Sequence, residues 1–524
     1  MVPGTGGTGV PPVTPCVANA SLAPARLWRL TDQQYVNVVA QVFGVRIPPE
    51  VTQADAQPAD FTATSEAPDL TVQAKTAEAF AAAAHTAAVG AVTANLATFL
   101  PCNQTAPSDA CVDRFIRNRV ARAFGRPLTD GEAQDLMGLY RLGVSTENVA
   151  AGVRLVIEAA LQAPSFLYRS ELGAPAAGKT KLSAHEVATA LSFALMDSVP
   201  DETLWDKAQT GTLLTQSVLA AEVDRLLALP AVQANLGAKA GYWLGVEKLR
   251  SIIPKDSTLF PEFTTQVKND LYDSAGMFVR DVMANGTVND LLTSDRMYLN
   301  ADLAKVYGVP GVTGKELAPI SVAGTQRQGG ILTQPAVLAA WSHPNRGDVI
   351  HRGLFIYNAL VCAGTLPAPP ANATDVASKF PANATEREKA VLRANAPEGC
   401  GSCHGLFDPF GLVTEAYDPI GRFLTTDESG KPVDTSTTLR GLGPDLDGPM
   451  AGLPDLISRL KSGQRVPDCA VRNLSMVLLG RSVVEDNSCE LQKVKQRFAS
   501  TGSFRDFYRA MLTAPGFLTR DGDK

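Results

Sequence analysis

DRFIRNRVARAFGRPLTDGEAQDLMGLYRLG, residues 113–143, reads as helix, proline turn, helix. Thr129 stands at the N-cap of the second helix. Glu132, three residues on, completes a capping box in which each side chain satisfies a backbone N–H that the other leaves open. The same grammar extends in both directions. Upstream, ARLWRLTDQQYVNVVAQVFGV (25–45) has Thr31 as an N-cap, followed by Tyr35, Val38, Val39, Val42 and Phe43 at helical spacing. AFAAAAHTAAVGAVTANLATFL (79–100) is long enough to span a bilayer. It is Ala-rich and broken by His85, Gly90 and Asn95, so a packed helix is expected and no transmembrane segment. Downstream, 151–172 reads as a helix running into FLYRSELG, and Ser183 with Glu186 forms a second capping box. Helical patterns continue through 212–250 and 262–294, and MYLNADLAKVYGV (297–309) reads as a short helix ended by Gly308.

The fold class expected is therefore mainly α: multi-helical domains followed by a loop-rich, helical C-terminal domain. The expected organisation is a flexible tether at 1–24, a helical domain at 25–175, a second at 176–320, and the last domain at 321–524. LPAPPANATDVASKFPANAT (366–385) reads as a Pro/Ala/Asn-rich loop before a short helix, and 400–450 as loop-rich. The tether MVPGTGGTGVPPVTP lacks an apolar signal core. It is expected to be what remains after a signal peptide or lipoprotein leader is trimmed. A lipid anchor on the full precursor stays open.

Charge narrows the partners. With 47 basic and 53 acidic residues the net charge is −6, which offers no electrostatic reason for nucleic acid or an anionic membrane.

Chemistry concentrates at CGSCH, Cys400 to His404. Cys-X-X-Cys-His is the attachment signature of c-type haem. Two thiols at that spacing add to the two haem vinyl groups, and the adjacent His supplies the proximal nitrogen to iron. A thioredoxin-like pair would need a preceding strand, and a zinc ribbon would need a second CXXC; neither is present. A plain disulfide between Cys400 and Cys403 is the remaining alternative. One covalent haem c is thus expected, on Cys400, Cys403 and His404. For the sixth ligand the candidate is Met450, 46 residues after His404 on the Gly/Pro-rich loop DLDGPMAGL, with His343 as the alternative and His351 behind it. Arg422 is a candidate partner for a haem propionate. In FDPFGLVTEAYDPIGRF (407–423), Asp408, Glu415 and Asp418 do not follow a calcium-loop spacing. The two Asp-Pro steps read as turns.

The other six cysteines, an even number, fit a disulfide-permissive compartment. Cys102 and Cys111 bracket a short polar loop, and Cys469 and Cys489 bracket a helix and loop. Cys16–Cys362 follows by elimination. Nucleophile-elbow, phosphate-loop, zinc-protease and dinucleotide fingerprints are absent from the sequence.

Six pieces of the chain occur in an order that resembles a known family: RLTDQQYVNVV, ARAFGRPLTDGE, FLYRSELG, YLNADLAKVYGV, GGILTQPAVLAAWSHPNRGDVIHRG and CGSCHGLFDPFGLVTEAYDPIGRF. The chain is similar to the large multidomain cytochrome c-like proteins of planctomycetes and myxobacteria, strings of domains of unknown function ending in a cytochrome-like domain. That resemblance implies an exported protein with a single haem motif, at Cys400, Cys403 and His404, and no particular substrate. Where the family carries a Thr-Ser-Pro-like run after SHPN, this chain has Arg346, Gly347 and Asp348. Three functions compete. One is electron transfer to a redox partner protein in the periplasm or at the cell surface. The second is a haem-dependent oxidoreductase, peroxidase- or oxygenase-like, acting on a polymeric or small-molecule organic substrate. The third is a non-redox ligand-binding protein.

Overall fold

The computed structural model describes residues 16–18, 21–48, 70, 72–176, 179–251, 254–366, 380–381, 384–395, 400–427, 430–481 and 488–521. Most of the tether and of the 366–385 loop lies outside these residues. The fold is mainly α, with short antiparallel strand pairs at the joints.

All three N-caps form. Thr31, Thr129 and Ser183 each accept from the N3 backbone amide of their helix, and Gln34, Glu132 and Glu186 reach back. The first core is built from helices Asp32–Phe43, Ala74–Phe99, Asp130–Thr146 and Val149–Gln162. Tyr35 lies at its centre, with ring centroids 5.1 Å from Phe80 and 5.2 Å from Phe166. The second and larger core runs from Leu182 to Phe517. It draws on helices before and after residue 320 and takes in Leu22 from near the chain's start.

Several strands interrupt the expected helices. RLWR forms β1 (Arg26–Arg29), which pairs antiparallel with β2 (Tyr168–Glu171), so YRSE is a strand rather than a helix end. β3 (Ala174–Ala176), β4 (Lys179–Lys181) and β9 (Thr519–Asp521) form a three-stranded sheet. β5 (Arg296–Leu299) pairs with β6 (Ala318–Ser321) and takes the first part of MYLNADLAKVYGV, leaving a helix over Ala301–Tyr307 capped by Gly308. β7 (Thr437–Leu439) pairs with β8 (Gly448–Met450). Runs of four residues with partners 139 to 145 positions away carry little local signal.

The end of the expected tether is tied down. Cys16 is disulfide-bonded to Cys489, Val17 bridges Ser488, and Leu22 is fully buried. This corrects the cysteine pairing. Cys102–Cys111 forms as expected, but the other two bonds are Cys16–Cys489 and Cys362–Cys469. Cys469 lies early in helix Arg465–Leu479 and Cys489 begins the next helix, so the intervening helix carries the two apart. A disulfide needs Cα atoms within roughly 7 Å. The tertiary fold meets that requirement between Cys469 and Cys362, 5.4 Å apart, and between Cys489 and Cys16, 4.9 Å apart.

Candidate haem-attachment site

CGSCH opens a helix, Gly401–Leu412, here the motif helix. Cys400 is its N-cap residue, and its carbonyl accepts from the amides of Cys403 (3.2 Å) and His404 (3.0 Å). The helical turn therefore places two thiols three residues apart and the imidazole directly after them. Cys400 and Cys403 are both free and half-buried, while the other six cysteines are bonded to one another.

The motif helix continues through Pro409, contrary to the expected turn at Asp408-Pro409. An interior proline deletes one helical hydrogen bond at a cost of about 3 kcal/mol. Packing from two sides offsets it. Helix Val349–Phe355 runs antiparallel to the motif helix with backbones in contact. A Cβ on Gly411 would collide with the Val349 carbonyl, and one on Gly353 with the Phe407 carbonyl. The same register carries a π-helical turn, Ile356–Leu360, to the start of the motif helix. There the Tyr357 phenol is raised above its ordinary value, by burial first and by the nearby Cys403 second. Helix Glu386–Ala394 clamps the other side. The second Asp-Pro step does turn: Asp418 accepts from the amides of Ile420 and Arg422.

His404 is held from behind. Its Nδ1 lies 3.0 Å from Asp408 Oδ1, and Asp408 Oδ2 accepts from Arg393 Nε at 3.0 Å. The ring also leans on Phe407, with centroids 4.8 Å apart. Arg393 Nη2 is buried and has no hydrogen-bond partner. These features fit a covalent haem: two free thiols, an imidazole whose Nε2 remains for iron, and an orphaned guanidinium nitrogen of the kind a propionate satisfies. Sequence reasoning missed the roles of Asp408, Arg393 and Tyr357. The i, i+4 spacing of His404 and Asp408 was the one available signal.

The remaining candidates are distributed unevenly. Met450 is buried in strand β8, not on a loop, and the partner strand β7 packs on the motif helix. His343 and His351 both face Asp348, at 3.2 Å and 2.5 Å. That cluster precedes Val349, which meets the motif helix at Gly411. Seven residues separate Gly411 from His404, about 10 Å along the helix axis. Arg422 is paired with Asp418 and Glu262, beside Phe260. The described residues place no contact between Arg422 and the motif. A cleft of about 330 Å³ opens past the far end of the motif helix, lined by Val413, Ala416, Tyr417, Phe423, Gln328 and Leu453 among others. Among the described residues, no cluster of three or more His, Cys, Asp or Glu side chains is gathered as a metal site.

Fold and site together define a class: a mainly α protein whose last part presents a thiol pair and an imidazole on the first turn of a clamped helix. Three segments match described families. Residues 111–171 match PSD5, protein of unknown function (DUF1595); 182–309 match PSD4, protein of unknown function (DUF1592); and 328–427 match PSCyt3, protein of unknown function (DUF1588). These are planctomycete cytochrome c-like domain families, and the chain is similar to each over the residues matched. The PSCyt3 match spans the motif helix and both of its clamps. No curated protein and no solved structure matches the chain.

Proposed function

We propose that the protein is an exported, c-type monohaem electron carrier, with haem on Cys400 and Cys403, His404 as proximal ligand and Met450 as sixth ligand. The observation that carries this reading is the selective state of the cysteines. Six are bonded, as an oxidising compartment favours, yet the CXXC pair remains as two thiols on one helical turn. Haem held there would exchange single electrons between ferric and ferrous iron. The chain's own contribution is to aim His404, to bury the attachment helix between two others, and to bring the Met450 strand pair against it. A Met thioether raises the potential relative to a second His, which suits a carrier. His343 fits the sixth position less well, since Asp348 holds it toward the other end of the motif helix.

The test is the spectrum of Met450→Leu holoprotein. Leucine conserves volume and costs under about 1.5 kcal/mol, so the fold is kept while the thioether is lost. Expected are loss of the low-spin spectrum and new carbon monoxide binding. A wild type that already binds carbon monoxide readily would replace the carrier with a haem-dependent oxidoreductase, for which the uncharged cleft beyond Val413 is a candidate substrate site.

A further inference from the structure

His404 is not a lone imidazole on its helix. Asp408 lies one turn on, on the same face, and its two oxygens join different groups: Oδ1 meets His404 Nδ1, and Oδ2 accepts from Arg393 Nε. Asp408 is 4% exposed and Arg393 8%. An exposed i, i+4 pair is a minor helix stabiliser, but here the carboxylate is buried and His404 half-buried. Burying an ionised carboxylate is costly unless it is paired and hydrogen-bonded. Holding the ring's orientation alone would need only a backbone carbonyl. The carboxylate is an acceptor, so Nδ1 carries the proton and Nε2 is left as the nitrogen for a metal.

We propose that Asp408, restrained by Arg393, is a positioning residue that fixes the His404 ring for haem iron and sets the potential of that iron. The proposal rests on the haem-attachment reading above. A carboxylate pulling on Nδ1–H in a low-dielectric setting makes the imidazole a stronger donor. A stronger donor stabilises ferric over ferrous iron and lowers the potential. Arg393 acts in the opposite sense by drawing charge from Asp408. The two side chains therefore set the potential from opposite directions through one ligand.

The experiment is a redox titration of the holoprotein, matured with covalent haem, for wild type and three variants. Asp408→Asn removes the charge with little change of size. It is expected to shift the ferric/ferrous ratio about tenfold toward ferrous, a rise of roughly 59 mV for a one-electron couple. Arg393→Gln shifts the ratio toward ferric. Asp408→Glu, which restores the carboxylate, returns the ratio toward that of wild type. An Asp408→Asn potential equal to that of wild type overturns the proposal. So do shifts of the same sign in Asp408→Asn and Arg393→Gln, because loosening of the site, unlike charge, has no reason to reverse. Should Asp408→Asn not fold, the sign of the Arg393→Gln shift decides. A wild type without covalent haem defeats the haem reading itself, and that result is read before any variant is made.

Discussion

Asp348 hydrogen-bonds His351 and lies 3.2 Å from the His343 ring, and that sharing sets a pH dependence. The hydrogen bond that His351 donates to Asp348 raises the imidazole above its ordinary value, against the pull of burial and of Lys248. Burial lowers His343, and Asp348 only partly offsets it, with Arg346, His351 and Glu386 also acting on the ring. The two histidines are therefore expected to titrate on opposite sides of about 6.5. A raised histidine stabilises the fold below its unfolded value, and that contribution is lost as pH rises through the folded value. Proton NMR of the ring Cε1–H signals checks this. Asp348→Asn should lower His351, and coincident titration of the two rings in wild type would contradict it. The sequence singled out both histidines but as iron ligands. Their carboxylate, three residues before His351, was legible only as a departure from a family pattern. By contrast, CGSCH was readable because attachment chemistry fixes residue order, whatever the surrounding fold. Arg393, eleven residues before His404 and on a different helix, gave no sequence signal at all.

The clamped motif helix is the element on which the site depends. Gly411→Ala is expected to cost about 1–3 kcal/mol through overpacking. The added Cβ meets the Val349 carbonyl, a backbone atom with no rotamer to escape to. Thermal or denaturant unfolding measures it, and a neutral change would mean that the helices are not in backbone contact. Gly405→Ala is the control, because a Cβ there meets nothing within 4 Å. The capping boxes were legible because both partners lie within four residues. The path of the helix through Pro409 was not, since packing from helices Val349–Phe355 and Glu386–Ala394 overrides the local preference of Asp-Pro for a turn. Strands β1 and β2 escaped for the complementary reason: each is four residues long and is defined by its distant partner.

At the scale of the whole molecule, the two ends of the chain are fastened together. The Cys16–Cys489 bond spans 473 residues of sequence, and β9 near the C-terminus extends the sheet begun by β3 and β4. At this junction Glu171 is buried among arginines: Arg520 Nε donates to it at 2.9 Å and Arg26 Nε at 3.0 Å, with Arg169 close by. Trp28 is covered by Arg26 and Arg169, each 4.1 Å from its ring centroid. Burial alone would raise the Glu171 carboxyl, but Arg520, Arg26 and Arg169 outweigh it and hold it at about 2. Because the folded value is depressed, the stabilisation is present above the ordinary value of 4.5 and is lost as pH falls toward about 2. Glu171→Gln leaves buried guanidiniums uncompensated and should cost about 3–5 kcal/mol at neutral pH. Its stability should then fall less than that of wild type between pH 4.5 and 2. A parallel fall in both proteins would contradict the assignment. This network joins residues from both ends of the chain, so spacing could not reveal it. The same limit applied to Cys469 and Cys489, neighbours in sequence that proved not to be partners.

The central claim is covalent haem on the motif helix, and acid–acetone extraction tests it most directly. Protein produced in a host with cytochrome c maturation should retain its haem stain after extraction and denaturing electrophoresis. The double variant Cys400→Ala, Cys403→Ala should lose that stain while the three disulfides remain in place. Haem that extracts freely from the wild-type protein, or a wild type matured in that host that carries none, would contradict the account.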